Sequence, residues 1–274
     1  MSETILIDGV QYGTGLLVPT FKPKTFPVYG DNGPMFTREQ VGKIVTDPER
    51  VAGSRLFTPE EWIRSQGNVG SCNGQAASHA LERTQVSRGI KRRRLSGEGL
   101  YALINGGVDQ GSMLDDGMHA LVNNGAPEEQ YVPVAKFLTQ RQLSRDAVES
   151  MRRNRAHECY RVETEDELAS GLAAGFCGVV AVHATNSYGL LDGRGVSPPA
   201  SGVGNHAVLV HDVRLSPSGG YEFESANSWG LKWGNRGHNW LTWASHLQST
   251  IKYHAFYLIR SAGFADSDLP GVIV

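Results

Sequence analysis

Cysteine is scarce in this chain: Cys72, Cys159 and Cys177 are the only three in 274 residues. An odd, sparse set does not make a disulfide scaffold and fits a reducing compartment, with a Cys159–Cys177 bridge the one pairing left open. Long apolar runs are absent too, and nothing approaches the ~20 residues a membrane helix needs. The first twenty residues, MSETILIDGVQYGTGLLVPT, carry Glu3 and Asp8 and lack a basic start followed by an apolar block. They are not expected to be a secretory signal peptide, which points to the cytoplasm, another reducing compartment or a larger particle. Charge of one sign is not in excess. A formal net charge of −2 gives no global reason to expect nucleic acid or an anionic membrane as a partner. The basic runs Lys91–Arg94 and Arg152–Arg155 are short enough to be solvated faces. There is no internal repeat and no histidine or cysteine cluster with metal-ligand spacing, and Asp115–Asp116 stands alone. Neither a metal nor a cofactor is expected.

What is present suits a globular protein: 40% hydrophobic and 20% charged residues, in a length that fills one large domain or two lobes. Residues 1–55, with Pro19, Pro23, Pro27 and Pro34, are expected to be extended and irregular. They suit a propeptide, an arm packing on a partner, or a wrap over the main domain. Thr58 and Pro59 start a short helix. From Cys72 to about Arg88, Ala76, Ala77, Ala80, Leu81 and Thr84 recur at helical spacing, with Ser71 as N-cap and Gly74 a mild weakness. Further helices are expected over residues 97–105, over 115–125 with Gly125 as C-cap, and over 140–154. After residue 158 strand patterns dominate, around one short helix at 165–175. Helices first and strands afterwards mean α+β.

The stretch SQGNVGSCNGQAAS places Cys72 at the start of a helix, where the dipole favours a thiolate. A nucleophilic cysteine needs a base, and the base an orienting group. His206 begins one strand and Asn227 ends the next, so a tight turn between those strands brings the two together. They lie 134 and 155 positions after Cys72.

Residues 62–260 resemble the papain family of cysteine peptidases. QGNVGSC resembles its motif around the nucleophile, NHAV its histidine motif, and NSWGLKWGNRG its asparagine–tryptophan–glycine motif. GSMLDDGMHALVNNGAPEEQY resembles the part of the helical lobe that borders the cleft. The resemblance implies an α+β, two-lobe fold: a helical lobe, about residues 56–157, and an antiparallel β-barrel-like lobe, about 158–262, with the active-site cleft between them. Residues 1–55 stand outside this 56–274 peptidase domain. The resemblance further implies that Cys72 is the nucleophile, His206 the base and Asn227 its orienter. Gln66 with the Cys72 N–H would form the oxyanion hole. Trp229 would shield the His206–Asn227 bond, and Gly111, Ser112, Met113 and Leu114 would line the substrate. The reaction implied is peptide-bond hydrolysis through a thioester, with a peptide or protein as substrate.

The chain departs from the family at three places. Val69 replaces a cysteine that forms a disulfide in secreted members, Asn73 replaces an aromatic residue, and His238 stands where a tyrosine is expected. Cys159, Cys177 and His79 are expected to be structural, as is His183, although its place near the strand VVAVHA would let it approach the cleft. The alternative function is a structural or assembly protein, for instance of a phage particle, built on the same fold with or without activity, residues 1–55 contacting a partner or the protein itself. A peptidase acting on peptidoglycan cross-links is a third reading.

Overall fold

The computed structural model describes residues 4–7, 9–48 and 59–261. It opens with a hairpin, β1 (Thr4–Ile7) and β2 (Val10–Gly13), turned at Gly9 with φ of 77°. A single helical turn, α1 (Tyr29–Asn32), precedes helix α2 (Arg38–Thr46). A reciprocal cap starts α2: the Thr37 hydroxyl accepts from the Gln40 N–H, and the Gln40 side chain accepts from the Thr37 N–H. The hairpin and α2 correct the expectation of irregular chain over residues 1–55. The four prolines do fall between these elements, where a missing N–H costs nothing. The cap expected at Thr58 lies outside the described residues, and a helical turn, α3 (Pro59–Trp62), follows it.

Helix α4 (Cys72–Ser87) is the spine of the molecule, buried from Cys72 to Gln85. It has no proline, and no β-branched side chain before Thr84, so it pays little rotamer entropy. Gly74 has a reason beyond propensity. A Cβ there would fall on the Gly97 carbonyl, so glycine lets helix α5 (Gly97–Ile104) approach. Ser71 stands at the N-cap position, but its side chain makes no capping bond. Helix α6 (Leu114–Asn123) ends on Asn124, and Gly125, at φ 88°, returns its N–H to Ala120. The helix expected over 140–154 is shorter: a 3₁₀ turn at Gln140–Gln142, then α7 (Arg145–Met151) capped by Ser144.

The second half supplies β3 (Ala156–Val162), helix α8 (Glu165–Ala173), β4 (Cys177–Val182), β5 (His206–Leu215), β6 (Tyr221–Ala226), β7 (His238–Thr242) and β8 (Phe256–Ser261). The strands form one antiparallel sheet in the order β3-β8-β4-β5-β6-β7. The fold is α+β and papain-like, but the sheet does not close on itself. β3 and β7 remain edges, and the N-terminal segment covers part of the β3 edge, with the Arg161 N–H donating to the Pro27 carbonyl. Cys159 and Cys177 both sit opposite Ile259, one on each side of β8. Two strand spacings, about 9.5 Å, are too far for a disulfide. Both lie buried in the core outside any disulfide, which closes the question of a bridge.

The basic runs are spent on ion pairs. Arg92 reaches Glu82 at 2.9 Å and Arg94 reaches Glu129 at 2.7 Å, while Arg153 reaches Glu128 at 3.3 Å. Glu82 is fully buried and also takes Arg64 at 2.5 Å and the Leu95 N–H. Asp115 and Asp116 likewise have structural partners, the Tyr257 hydroxyl and the Met113 N–H.

Candidate active site

Cys72 is the first residue of α4 and is completely buried. The backbone N–H groups of Ala207 and Gly15 are aimed at its sulfur. Burial pushes the thiol up to about 11, and those donors offset only part of the shift.

His206 opens β5, directly before Ala207, whose N–H faces the sulfur. Its Nε2 lies 2.8 Å from Asn227 Oδ1, which also accepts the Ser228 N–H at 2.7 Å. An oxygen accepting from Ser228 can only accept from His206, so Nε2 carries the proton and Nδ1 keeps its lone pair. His206 Nδ1 has no hydrogen-bond partner among the described residues. The ring stacks on Trp229 with centroids 4.3 Å apart. Burial lowers the imidazole to about 4, against a partial rise from Asn227. Both shifts favour the neutral thiol and the neutral imidazole over an ion pair in the closed cleft.

Asn227 leaves β6 into a loop that explains the glycines of NSWGLKWGNRG. Gly230 sits at φ 80°, and at Gly237 an added Cβ would strike Ile63. The loop returns the Gly237 carbonyl to the Asn227 N–H. Next to it, the Ser228 hydroxyl donates to Gln66 Oε1 at 2.5 Å and so orients the amide. Gln66 Nε2 then donates to the carbonyls of Val69 at 2.7 Å and Gly13 at 3.2 Å.

Gly13 belongs to a strap that fills the cleft. Its carbonyl also accepts the Trp229 indole N–H at 3.2 Å, and the Tyr12 ring stacks on Trp229 at 5.1 Å. Further on, Leu16 N–H donates to the Asn205 carbonyl, Ser112 N–H to the Gly15 carbonyl and Leu17 N–H to the Ser112 carbonyl. Leu16 and Ser112 run parallel. Glycine is needed at both strap positions, because a Cβ at Gly13 would fall on the Val69 carbonyl and one at Gly15 on Gly70.

Cys72, His206, Asn227, Gln66 and Trp229 thus converge. Gly111 and Ser112 lie along the strap, with Met113 and Leu114 continuing into α6. A cavity of about 540 Å³ opens beside the strap, lined by Leu16, His183, Val203 and Asn205 among others, so His183 does border the cleft. His79 is buried, stacked on Trp62. His238 is buried against His211, its pKa lowered to about 4 by burial and then by Arg83. The sequence leaves residues 1–55 as a propeptide, an arm or a wrap, and gives neither the strap's path nor the parts of Ser228 and Asn205. The glycine pair of YGTGLL was the one available signal for the strap.

A cysteine beside an imidazole that an asparagine orients, in a cleft between helices and an antiparallel sheet, defines a class of thiol hydrolase. The chain belongs to the papain family: the model for "Papain family cysteine protease" matches residues 58–259. It is a cysteine-type peptidase, acting on peptide or protein substrates. No curated protein sequence matches it. Among solved structures it is similar to xylellain, a cysteine protease from Xylella fastidiosa, at 20% identity and TM-score 0.68, covering 96% of this chain and 99% of that one. Digestive procathepsin L 3 of Tenebrio molitor larval midgut aligns at 20% identity and TM-score 0.60, over 72% of this chain and 66% of its own. The proform of the ragweed pollen allergen Amb a 11, a cysteine protease, aligns at 19% and 0.59, over 76% and 69%. At these identities the likeness is one of fold.

Proposed function

We propose that this is a papain-type peptidase in a latent form, with its own N-terminal segment lying in the catalytic cleft. The observation that carries the reading is the Gly13 carbonyl, held by the Gln66 amide where a substrate carbonyl needs stabilising. With a substrate in place of the strap, His206 Nδ1 takes the Cys72 proton and the sulfur attacks the carbonyl carbon. Gln66 Nε2 and the Cys72 N–H hold the developing oxyanion. The imidazolium, kept in orientation by Asn227, protonates the leaving amine, and a thioester remains. Water, deprotonated by the same imidazole, then releases the acid. Trp229 covers the His206–Asn227 bond, and Gly111–Leu114 line the substrate backbone.

The strap meets the sulfur through the Gly15 N–H, which favours a resting contact with Cys72. Residues 1–55 are an arm in self-contact with a peptidase domain of residues 56–274, in which a helical lobe (about 56–157) faces a β-rich lobe. Two of the similar structures are described as a proenzyme and a proform, which supports a latent state here. The test is peptide hydrolysis by the full-length chain carrying Gly15→Val, which the Gly70 contact should expel from the cleft. Hydrolysis that disappears in added Cys72→Ala or His206→Ala supports the reading. No hydrolysis by the opened chain sinks it and favours the assembly protein.

A further inference from the structure

Between Gly111 and Met113 the chain forms a short rail beside the cleft, and its backbone groups are divided between two duties. Ser112 uses its N–H and C=O on the strap. The groups on either side are held by the protein itself. Gly111 N–H donates to the Tyr101 hydroxyl at 2.9 Å. Tyr101 in turn donates to Asp109 Oδ1 at 3.0 Å, and the same oxygen accepts the Gly70 N–H at 2.9 Å. Gly70 lies two residues before Cys72. At the other end, Met113 N–H donates to Asp116. The Met113 carbonyl accepts from Asn73 Nδ2 at 2.6 Å, and that nitrogen also reaches Ser112 Oγ at 3.1 Å. Asn73 follows Cys72 directly. Its amide lies over Gly117, where an added Cβ would meet Asn73 Oδ1 at 2.6 Å, so α6 is shaped to admit it.

The rail is therefore tied at both ends to the residues that flank the nucleophile, by Asp109 to Gly70 and by Asn73 from the helix itself. Two of the chain's three departures from its family lie here: Asn73, which is not aromatic, and Val69, which neighbours Gly70 and is not a cysteine. Asn73 and Tyr101 are fully enclosed, and Asp109 is half-buried. A buried tie of this kind holds its geometry, because breaking it strands a donor or acceptor away from water.

We propose that Asn73 and the Tyr101–Asp109 pair are positioning residues that clamp the rail to the nucleophile and so fix Ser112, whose N–H and C=O hold the strap, against whatever occupies the cleft. The clamp rests on the peptidase reading only where that occupant is a substrate; the strap is gripped in the same way. Asn73→Asp keeps the shape and removes the donor. Asp109→Ala removes the acceptor, and Asp109→Asn restores an oxygen in its place.

Two readouts on the full-length protein test it. The first is hydrogen exchange of the Leu17 and Ser112 amides. It should be at least about tenfold faster in Asn73→Asp and Asp109→Ala, nearly restored in Asp109→Asn, and unchanged in the middle of α4. The second is steady-state peptide hydrolysis in the Gly15→Val chain. KM should rise about tenfold in the first two variants while kcat stays within about twofold, and the rate at which iodoacetamide alkylates Cys72 should not change. Unchanged exchange at Leu17 and Ser112 overturns the clamp. So does a fall in kcat and alkylation at constant KM, which would put these residues on the nucleophile and not on the rail. If exchange accelerates but no variant hydrolyses peptide, the clamp stands and the peptidase reading falls.

Discussion

The carbonyl oxygen of Gly13 accepts the side-chain amide of Gln66 at 3.2 Å, across 53 positions of sequence. One donor thus serves two occupants, the strap at rest and the substrate in turnover. Gln66→Ala in the opened Gly15→Val chain should lower kcat about 10²–10³-fold, the range for loss of one oxyanion donor. The same change in the unopened chain should speed exchange of the strap amides. Steady-state kinetics and hydrogen exchange check the two halves separately.

Asn227 is expected to act through the tautomer of His206. Asn227→Asp keeps an acceptor on Nε2, whereas Asn227→Ala leaves the ring free to rotate. In the opened chain the alanine variant should lose most of kcat, about tenfold or more, and the aspartate variant should lose less and show an altered pH profile. Equal losses in the two would show that orientation is not what Asn227 supplies.

Acid should weaken the fold. His206 and His238 are held to about 4, and His79 and His254 are also lowered, in each case first by burial. The unfolded imidazole takes up its proton near 6.5, while the folded one waits until the lower value. Between those pH values the unfolded chain binds more protons, so stability falls as pH drops. The buried carboxyls Glu98 and Glu167 and the half-buried Asp116 are pushed up, first by burial, and act the other way near their own range. The clean window is pH 7.5 to 5.5. There the urea midpoint of the full chain should fall, by on the order of 1 kcal/mol per buried histidine, and fall less in His238→Asn. A flat midpoint would contradict the neutral, buried imidazoles.

Glu82 joins Arg64, Arg92 and the Leu95 N–H inside the protein. Removing one partner of a buried ionic network leaves a charge without compensation. Glu82→Ala should therefore cost about 3–5 kcal/mol of stability, read from urea unfolding, without a selective change in KM. Replacing Glu39, in an exposed surface pair with Lys43, should leave the urea midpoint unchanged.

Much of this arrangement could be read from local signals. Cys72 follows Ser71 into a run of small residues that can only be a helix, and His206 and Asn227 end up together because a tight turn joins their strands. The glycines of NSWGLKWGNRG encode positive φ directly. What the sequence hid was nonlocal. The strap reaches Ser112 and Asn205 through backbone hydrogen bonds, which leave no mark on side-chain choice except the glycines at 13 and 15. The hairpin at Thr4–Gly13 and the helix at Arg38–Thr46 hid among the prolines that separate them. The open edges of the sheet depend on which strands meet, and the alternation of residues within a strand says nothing of that.

The most direct test is the accessibility of one thiol. Full-length protein is treated with an epoxysuccinyl thiol-protease inhibitor and read by intact mass, alongside Gly15→Val and Gly15→Val with Cys72→Ala. A latent peptidase should label slowly as it stands and about tenfold or more faster with the strap displaced, gaining one adduct that vanishes with Cys72. Labelling of the unaltered chain as fast as Gly15→Val would contradict an occupied cleft, and no adduct in either would contradict a competent nucleophile.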